Sequence, residues 1–116
     1  MCAEAAADLL IEHRSWLLRA DFVDEFVEVI DGTPGDAPMA FIDWVAALEA
    51  LESGRLACSS SEAQVLRIAA SIAEGIPVDL RDATYGLDWA NAQRVAGALV
   101  RAAGHGRTGV SNGGVR

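Results

Sequence analysis

SSSEAQVLRIAASIAEGIPVDLRDATYGLDWANAQRVAGALVRAAG, residues 59 to 104, reads as three helices in succession. Ser59 and Glu62 have the spacing of a capping box, in which each residue satisfies the other's free N–H at a helix start. They open a helix over Ser60–Glu74, and Gly75 closes it. Val65, Leu66, Ile68, Ala69, Ile72 and Ala73 fall on one wide stripe, which makes this the central helix. IPVDL has strand-like residues, but no run of similar character elsewhere could take its backbone hydrogen bonds, so it reads as an extended linker. Asp79 then caps the short LRDATYG helix. Asp88 caps WANAQRVAGALVRAAG, whose Trp89, Ala92, Val95, Ala96, Leu99, Val100 and Ala103 form an apolar seam ending at Gly104.

The same reading extends toward the N-terminus. Residues 3 to 19 begin with strong helix formers and carry Leu9, Leu10, Trp16 and Leu17 on an apolar side. A kink near Ala20 leads to a second helix, with Phe22, Val23, Phe26, Val27 and Ile30 at helical spacing and Gly32 at its C-terminal cap. DGTPGDAP, residues 31 to 38, is a loop by its Gly and Pro punctuation. Asp36 caps a following helix with Pro38 in its first turn, and MAFIDWVAALEALESG presents Phe41, Trp44, Val45, Leu48 and Leu51 on one side. Trp16, Trp44 and Trp89 lie on three separate helices and are expected to meet in or near one core. The fold class is therefore all-α: a single-domain bundle of five to six helices over residues 1–104. A flexible, disordered Gly-rich tail follows over residues 105–116, where no hydrophobic period survives.

A chain of 116 residues supports one modest core, and much of its 52% hydrophobic content is alanine, which buries little area. No apolar run reaches the length of a membrane span, and MCAEAAADLL carries acids where a secretory leader has positive charge, so a cytoplasmic location is expected. Cys2 and Cys58 have neither CxxC spacing nor histidine neighbours, and they read as an N-terminal residue and a small packed residue. All nine basic residues are arginine, and the net charge of −8 is unevenly spread. Residues 21–52 hold nine acids and no base, whereas residues 61–116 hold five acids against six arginines. The first half repels nucleic acid and the second is close to neutral.

Three functional readings follow. The favoured one is a non-enzymatic interaction or regulatory protein in which Asp24, Glu25, Glu28 and Asp31 meet a basic surface on a protein partner while Phe22 and Phe26 anchor it. A homodimer is also expected, because a small alanine-rich domain gains from added burial. The first alternative is a helix-turn-helix-like DNA-binding regulator, with Asn91 and Gln93 reading bases and Arg94 and Arg101 holding phosphate; the weak basic charge argues against nucleic acid. The second is an acidic inhibitor that mimics DNA. Asp24 and Glu28 lie four apart, as helical metal ligands can, but no Glu-x-x-His pair accompanies them, and no metal or cofactor is expected. No nucleophile with a base and an orienting group is found, Ser59, Ser60 and Ser61 being helix-cap residues, and the tail's GHGRTG lacks the ending of a phosphate loop.

LRIAASIAEGIPVDLRDATYGLDWANAQRVAGALVRAAGH resembles the C-terminal part of small all-helical hypothetical proteins of high-GC actinobacteria, over residues 44 to 105 at most. Those proteins carry no assigned activity. The resemblance implies a helical single domain and no catalytic residue.

Overall fold

The computed structural model describes residues 2–35, 37 and 39–104. Its centre is α4, Ser60–Glu74, which starts as the capping box requires: Glu62 N–H donates to Ser59 Oγ at 3.2 Å, and Ser59 N–H donates to Glu62 Oε1 at 2.8 Å. The helix stops at Gly75, whose φ of +71° is a left-handed conformation that glycine adopts without steric cost. Between these ends α4 buries Ala63, Val65, Leu66, Ile68, Ala69 and Ala70. Around it pack α1 (Cys2–His13), α3 (Trp44–Glu52), α5 (Leu80–Tyr85) and α6 (Trp89–Ala102). Asp79 and Asp88 cap α5 and α6, and residues 76–79 link α4 to α5 without regular secondary structure. Among the described residues no helix is long and apolar enough to cross a membrane.

The N-terminal helix ends at His13, six residues short of the expected boundary at residue 19. Arg14 takes a φ of +59°, and the chain turns through Ser15 into a 3-10 turn, Trp16–Leu18, before α2 (Ala20–Phe26) begins. The gain is tertiary. Turning there sends Trp16 into full burial, with its indole N–H donating to Glu62 O at 2.9 Å, and lets the Ser15 hydroxyl donate to the Glu62 carboxylate. A left-handed non-glycine residue costs roughly 1–2 kcal/mol, whereas losing a buried tryptophan costs roughly 3–5 kcal/mol. The Trp16 ring then stacks at a tilt on Phe22, with centroids 5.3 Å apart, and Phe22 on Phe26 at 5.4 Å. Arg19 lies over the outer side of Trp16, 4.8 Å from its centroid, and donates to Ala57 O at 2.6 Å.

The all-helical expectation needs a second correction. Residues 27–30 do not continue α2, and residues 39–42 do not belong to the helix that follows. They form β1 (Val27–Ile30) and β2 (Met39–Ile42), an antiparallel pair in the register Val27↔Ile42, Glu28↔Phe41, Val29↔Ala40 and Ile30↔Met39. β-branched Val27, Val29 and Ile30 favour the extended chain once a partner strand is within reach. Asp43, not Asp36, is the cap of α3, accepting from Ala46 N–H at 3.1 Å. The expected Asp36 cap with Pro38, His105 and the tail at 105–116 lie outside the described residues. Trp16 and Trp44 are core residues, but Trp89 is 78% exposed and does not join them.

Two titrating groups sit where α1 meets α4. Hydrogen bonds from the Ser15 hydroxyl and the Ser59 backbone hold the Glu62 carboxyl below its ordinary 4.5. Desolvation, aided by the Arg94 guanidinium, holds His13 below its ordinary 6.5 against the opposing pull of Glu62 and Asp88. Both folded-state values are depressed, so the unfolded chain binds more protons in each case and stability falls on acidification. For His13 the loss begins as pH drops below 6.5, and for Glu62 as it drops below 4.5. Urea unfolding between pH 7.5 and 3.5 is expected to show a declining stability. His13→Gln should flatten the upper limb and Glu62→Gln the lower one, the latter also costing about 1 kcal/mol at neutral pH because a neutral amide accepts the Ser15 and Ser59 hydrogen bonds less strongly than a carboxylate.

Candidate interaction surface

The hairpin carries a cluster of exposed large apolar side chains. Val27 and Ile42 at its base are half-buried against the core, and Asp43 N–H donates to Phe26 O at 2.8 Å where the ribbon joins the helices. Beyond that base the strands leave the body of the protein. Side chains of a strand alternate between faces, so the register puts Val29 and Ala40 on one face and Glu28, Ile30, Met39 and Phe41 on the other. Val29 is 62% and Met39 60% exposed, and Ile30 and Phe41 are about half exposed. The sheet has two strands, so each also presents an outer edge of backbone N–H and C=O groups.

Carboxylates surround this apolar ribbon. Asp24 and Glu25 end α2, Glu28 lies on β1, Asp31 follows it, and Asp43 closes the base; all are exposed. Asp24, Glu25, Glu28 and Asp43 line a depression of about 570 Å³, together with Phe41. Arg55 reaches Glu25 at 3.0 Å, but both side chains are half in water, where such a pair contributes little. Of the acids singled out from sequence, Asp24, Glu25 and Glu28 come together at the root of a hairpin, and Asp31 lies at its far end beyond Ile30. Phe22 and Phe26 offer a partner little area: they are 0% and 2% exposed and stacked on each other, although Phe26 borders the depression. The apolar contacts available to a partner are Val29, Ile30, Met39 and Phe41. The sequence reading missed them; the β-branched Val27, Val29 and Ile30 are the signal for a strand there.

Of the four residues expected to bind DNA, Asn91, Arg94 and Arg101 are engaged within the fold. Asn91 is 6% exposed and donates from Nδ2 to Ser61 Oγ at 2.8 Å. Arg94 donates to Asn91 Oδ1 at 2.7 Å. Arg101 lies 3.6 Å from Glu12 and 3.9 Å from Asp8, mostly shielded from water. Gln93 alone of the four is exposed. The group is an internal polar link from α6 to α1 and α4.

Nor does a reactive centre assemble elsewhere among the described residues. No three His, Cys, Asp or Glu side chains converge as metal ligands would. Cys58 is exposed, yet desolvation of its thiol and the nearby Glu62 carboxylate push it above its ordinary value, the opposite of an activated nucleophile. A second concavity, about 680 Å³, runs between α3 and residues 76–78. Its walls are mainly Val45, Leu48, Ile76, Pro77 and Val78, with the Glu52–Arg67 pair, 3.0 Å apart, at its edge. No protein-family model matches the chain, and neither the curated proteins nor the solved structures contain a significant match to it.

The inward network gives a direct test of the role assigned to it. Asn91→Ala leaves Ser61 and Arg94 without their partner and should cost about 1–3 kcal/mol in chemical denaturation. Gln93→Ala, on the open side of the same helix, should change stability by less than about 0.5 kcal/mol.

Proposed function

We propose that this protein is a non-enzymatic interaction module whose acidic hairpin receives a basic, extended segment of a protein partner. The observation that carries the reading is the pairing of two features in one place: exposed apolar side chains on an open-edged two-stranded ribbon, and carboxylates around its root. An added strand would take up the free backbone groups of one edge. Its alternate side chains would cover Phe41 and Met39 or Val29, according to the face they meet. Lysine or arginine residues on the same segment would lie against Asp24, Glu28, Asp31 and Asp43. Apolar contact and backbone pairing supply affinity, while the acids select the partner and speed its approach. An acidic surface of this kind also suits a DNA-mimicking inhibitor, whose target would be a nucleic-acid-binding protein; that is a narrower case of the same reading. The DNA-binding alternative gains no support, because Asn91, Arg94 and Arg101 are engaged internally.

The test has two parts. The tagged protein is used to capture partners from lysate of its source cells with and without nuclease, and the binding constant for the captured partner is then measured at several salt concentrations. Asp24→Asn, Glu25→Gln, Glu28→Gln and Asp31→Asn combined should weaken binding at least tenfold at low salt and flatten its salt dependence. Phe41→Ser with Met39→Ser should weaken it at all salt concentrations. Binding unchanged by both sets would refute the proposal, and a partner lost on nuclease treatment would redirect attention to nucleic acid.

A further inference from the structure

Helix α6 is apolar on two sides and uses only one of them. It packs on α1 and α4 through Asn91, Val95 and Ala98. The opposite side carries Trp89, Ala92, Ala96, Leu99, Val100 and Ala103, all exposed. The steps from Trp89 through Ala92, Ala96 and Leu99 to Ala103 are three, four, three and four residues, the 3.5-residue spacing with which one helix meets another along a seam.

We infer that this face is the contact between two copies of the chain, paired as antiparallel α6 helices about a two-fold axis at Ala96. The order of side-chain sizes argues for a second copy over any other occupant. Reflected about Ala96, Trp89 falls opposite Ala103, Ala92 opposite Val100, Gln93 opposite Leu99, and Ala96 opposite itself. The largest side chain meets a methyl group, valine meets a methyl group, and the smallest pair lies on the axis, where two helices approach most closely. A surface that is its own complement under a two-fold rotation is what an isologous dimer requires. A heterologous partner would impose no such symmetry.

Charge favours the same occupant. The face holds no ionisable side chain, and Gln93 is its polar member. The chain as a whole carries −8, concentrated in residues 21–52, which form α2, the hairpin and α3. Two copies meeting through the hairpin would oppose Asp24, Glu28, Asp31 and Asp43 to one another; meeting through α6 they oppose neutral surfaces. Antiparallel pairing also sets the positive end of each helix dipole beside the negative end of the other. This inference is independent of the partner proposed for the hairpin.

Sedimentation equilibrium of the full chain from 5 to 200 µM tests it. A dimer, twice the 12.2 kDa of one chain, is expected. Ala96→Glu places a carboxylate against its symmetry mate and should give a monomer with unchanged far-UV circular dichroism, since Ala96 is exposed in the single chain. Register is read by cross-linking in a Cys2→Ser, Cys58→Ser background. Ala96→Cys should form a covalent dimer on mild oxidation. Trp89→Cys should not, its symmetry mate being displaced by about 21 Å along the axis at 1.5 Å per residue. A wild-type monomer across this range, or a dimer that survives Ala96→Glu, overturns the proposal. Self-cross-linking through position 89 overturns the antiparallel register.

Discussion

Glu62 holds together parts of the chain that have few other reasons to meet. Its carboxylate accepts from the Ser59 backbone and the Ser15 hydroxyl, and its backbone carbonyl accepts the Trp16 indole proton. One residue thus defines the start of the central helix and ties the end of the first helical segment to it. With Trp16 fixed, Phe22 and Phe26 have a surface to stack on, and the short α2 is anchored at both ends. This matters because the helices around α4 are rich in alanine, and a methyl group contributes only a small share of the burial that leucine or phenylalanine would. Specific polar contacts at the periphery, together with the three stacked rings, compensate for a thin aliphatic interior.

The helix starts and stops of the second half were readable because they rest on local chemistry. The Ser59–Glu62 box, the Asp79 and Asp88 caps and the left-handed Gly75 each act within a few residues. What escaped the reading depended on contacts distant in sequence. Nothing near Arg14 announces a break; the helix ends there because Trp16 has a site some forty-six residues away at Glu62. Phe22, Val23, Phe26, Val27 and Ile30 do have helical spacing, but Val27 and Ile30 are also β-branched, and pairing with residues 39–42 outweighed the periodicity. Apolar spacing likewise marked α6 as amphipathic without showing which face would be covered, so Trp89 was expected in a core that had no room for it.

The site was legible in its charges and not in its apolar members. A run of acids without a base is visible in any sequence, and Asp24, Glu25 and Glu28 do come together. Phe22 and Phe26 were the obvious aromatic anchors beside them, yet Phe22 stacks on the Trp16 ring and Phe26 on Phe22 in the interior. The exposed apolar residues are those of the ribbon, which exists only through pairing. The molecule is thereby divided: an acid-ringed hairpin joined to α2 at one part, and the near-neutral α6, packed on α1 and α4, at another.

An exposed ribbon with two open edges carries a hazard apart from any partner. Val29, Ile30, Met39 and Phe41 form the kind of apolar, β-favouring surface on which copies stack edge to edge into cross-β fibres. Glu28 within the ribbon, with Asp24, Asp31 and Asp43 close by, makes such stacking bring like charges together at every added chain. The same carboxylates therefore act as gatekeepers against fibril growth. The features that would let the ribbon take up a partner strand are thus the ones its charges guard against self-assembly.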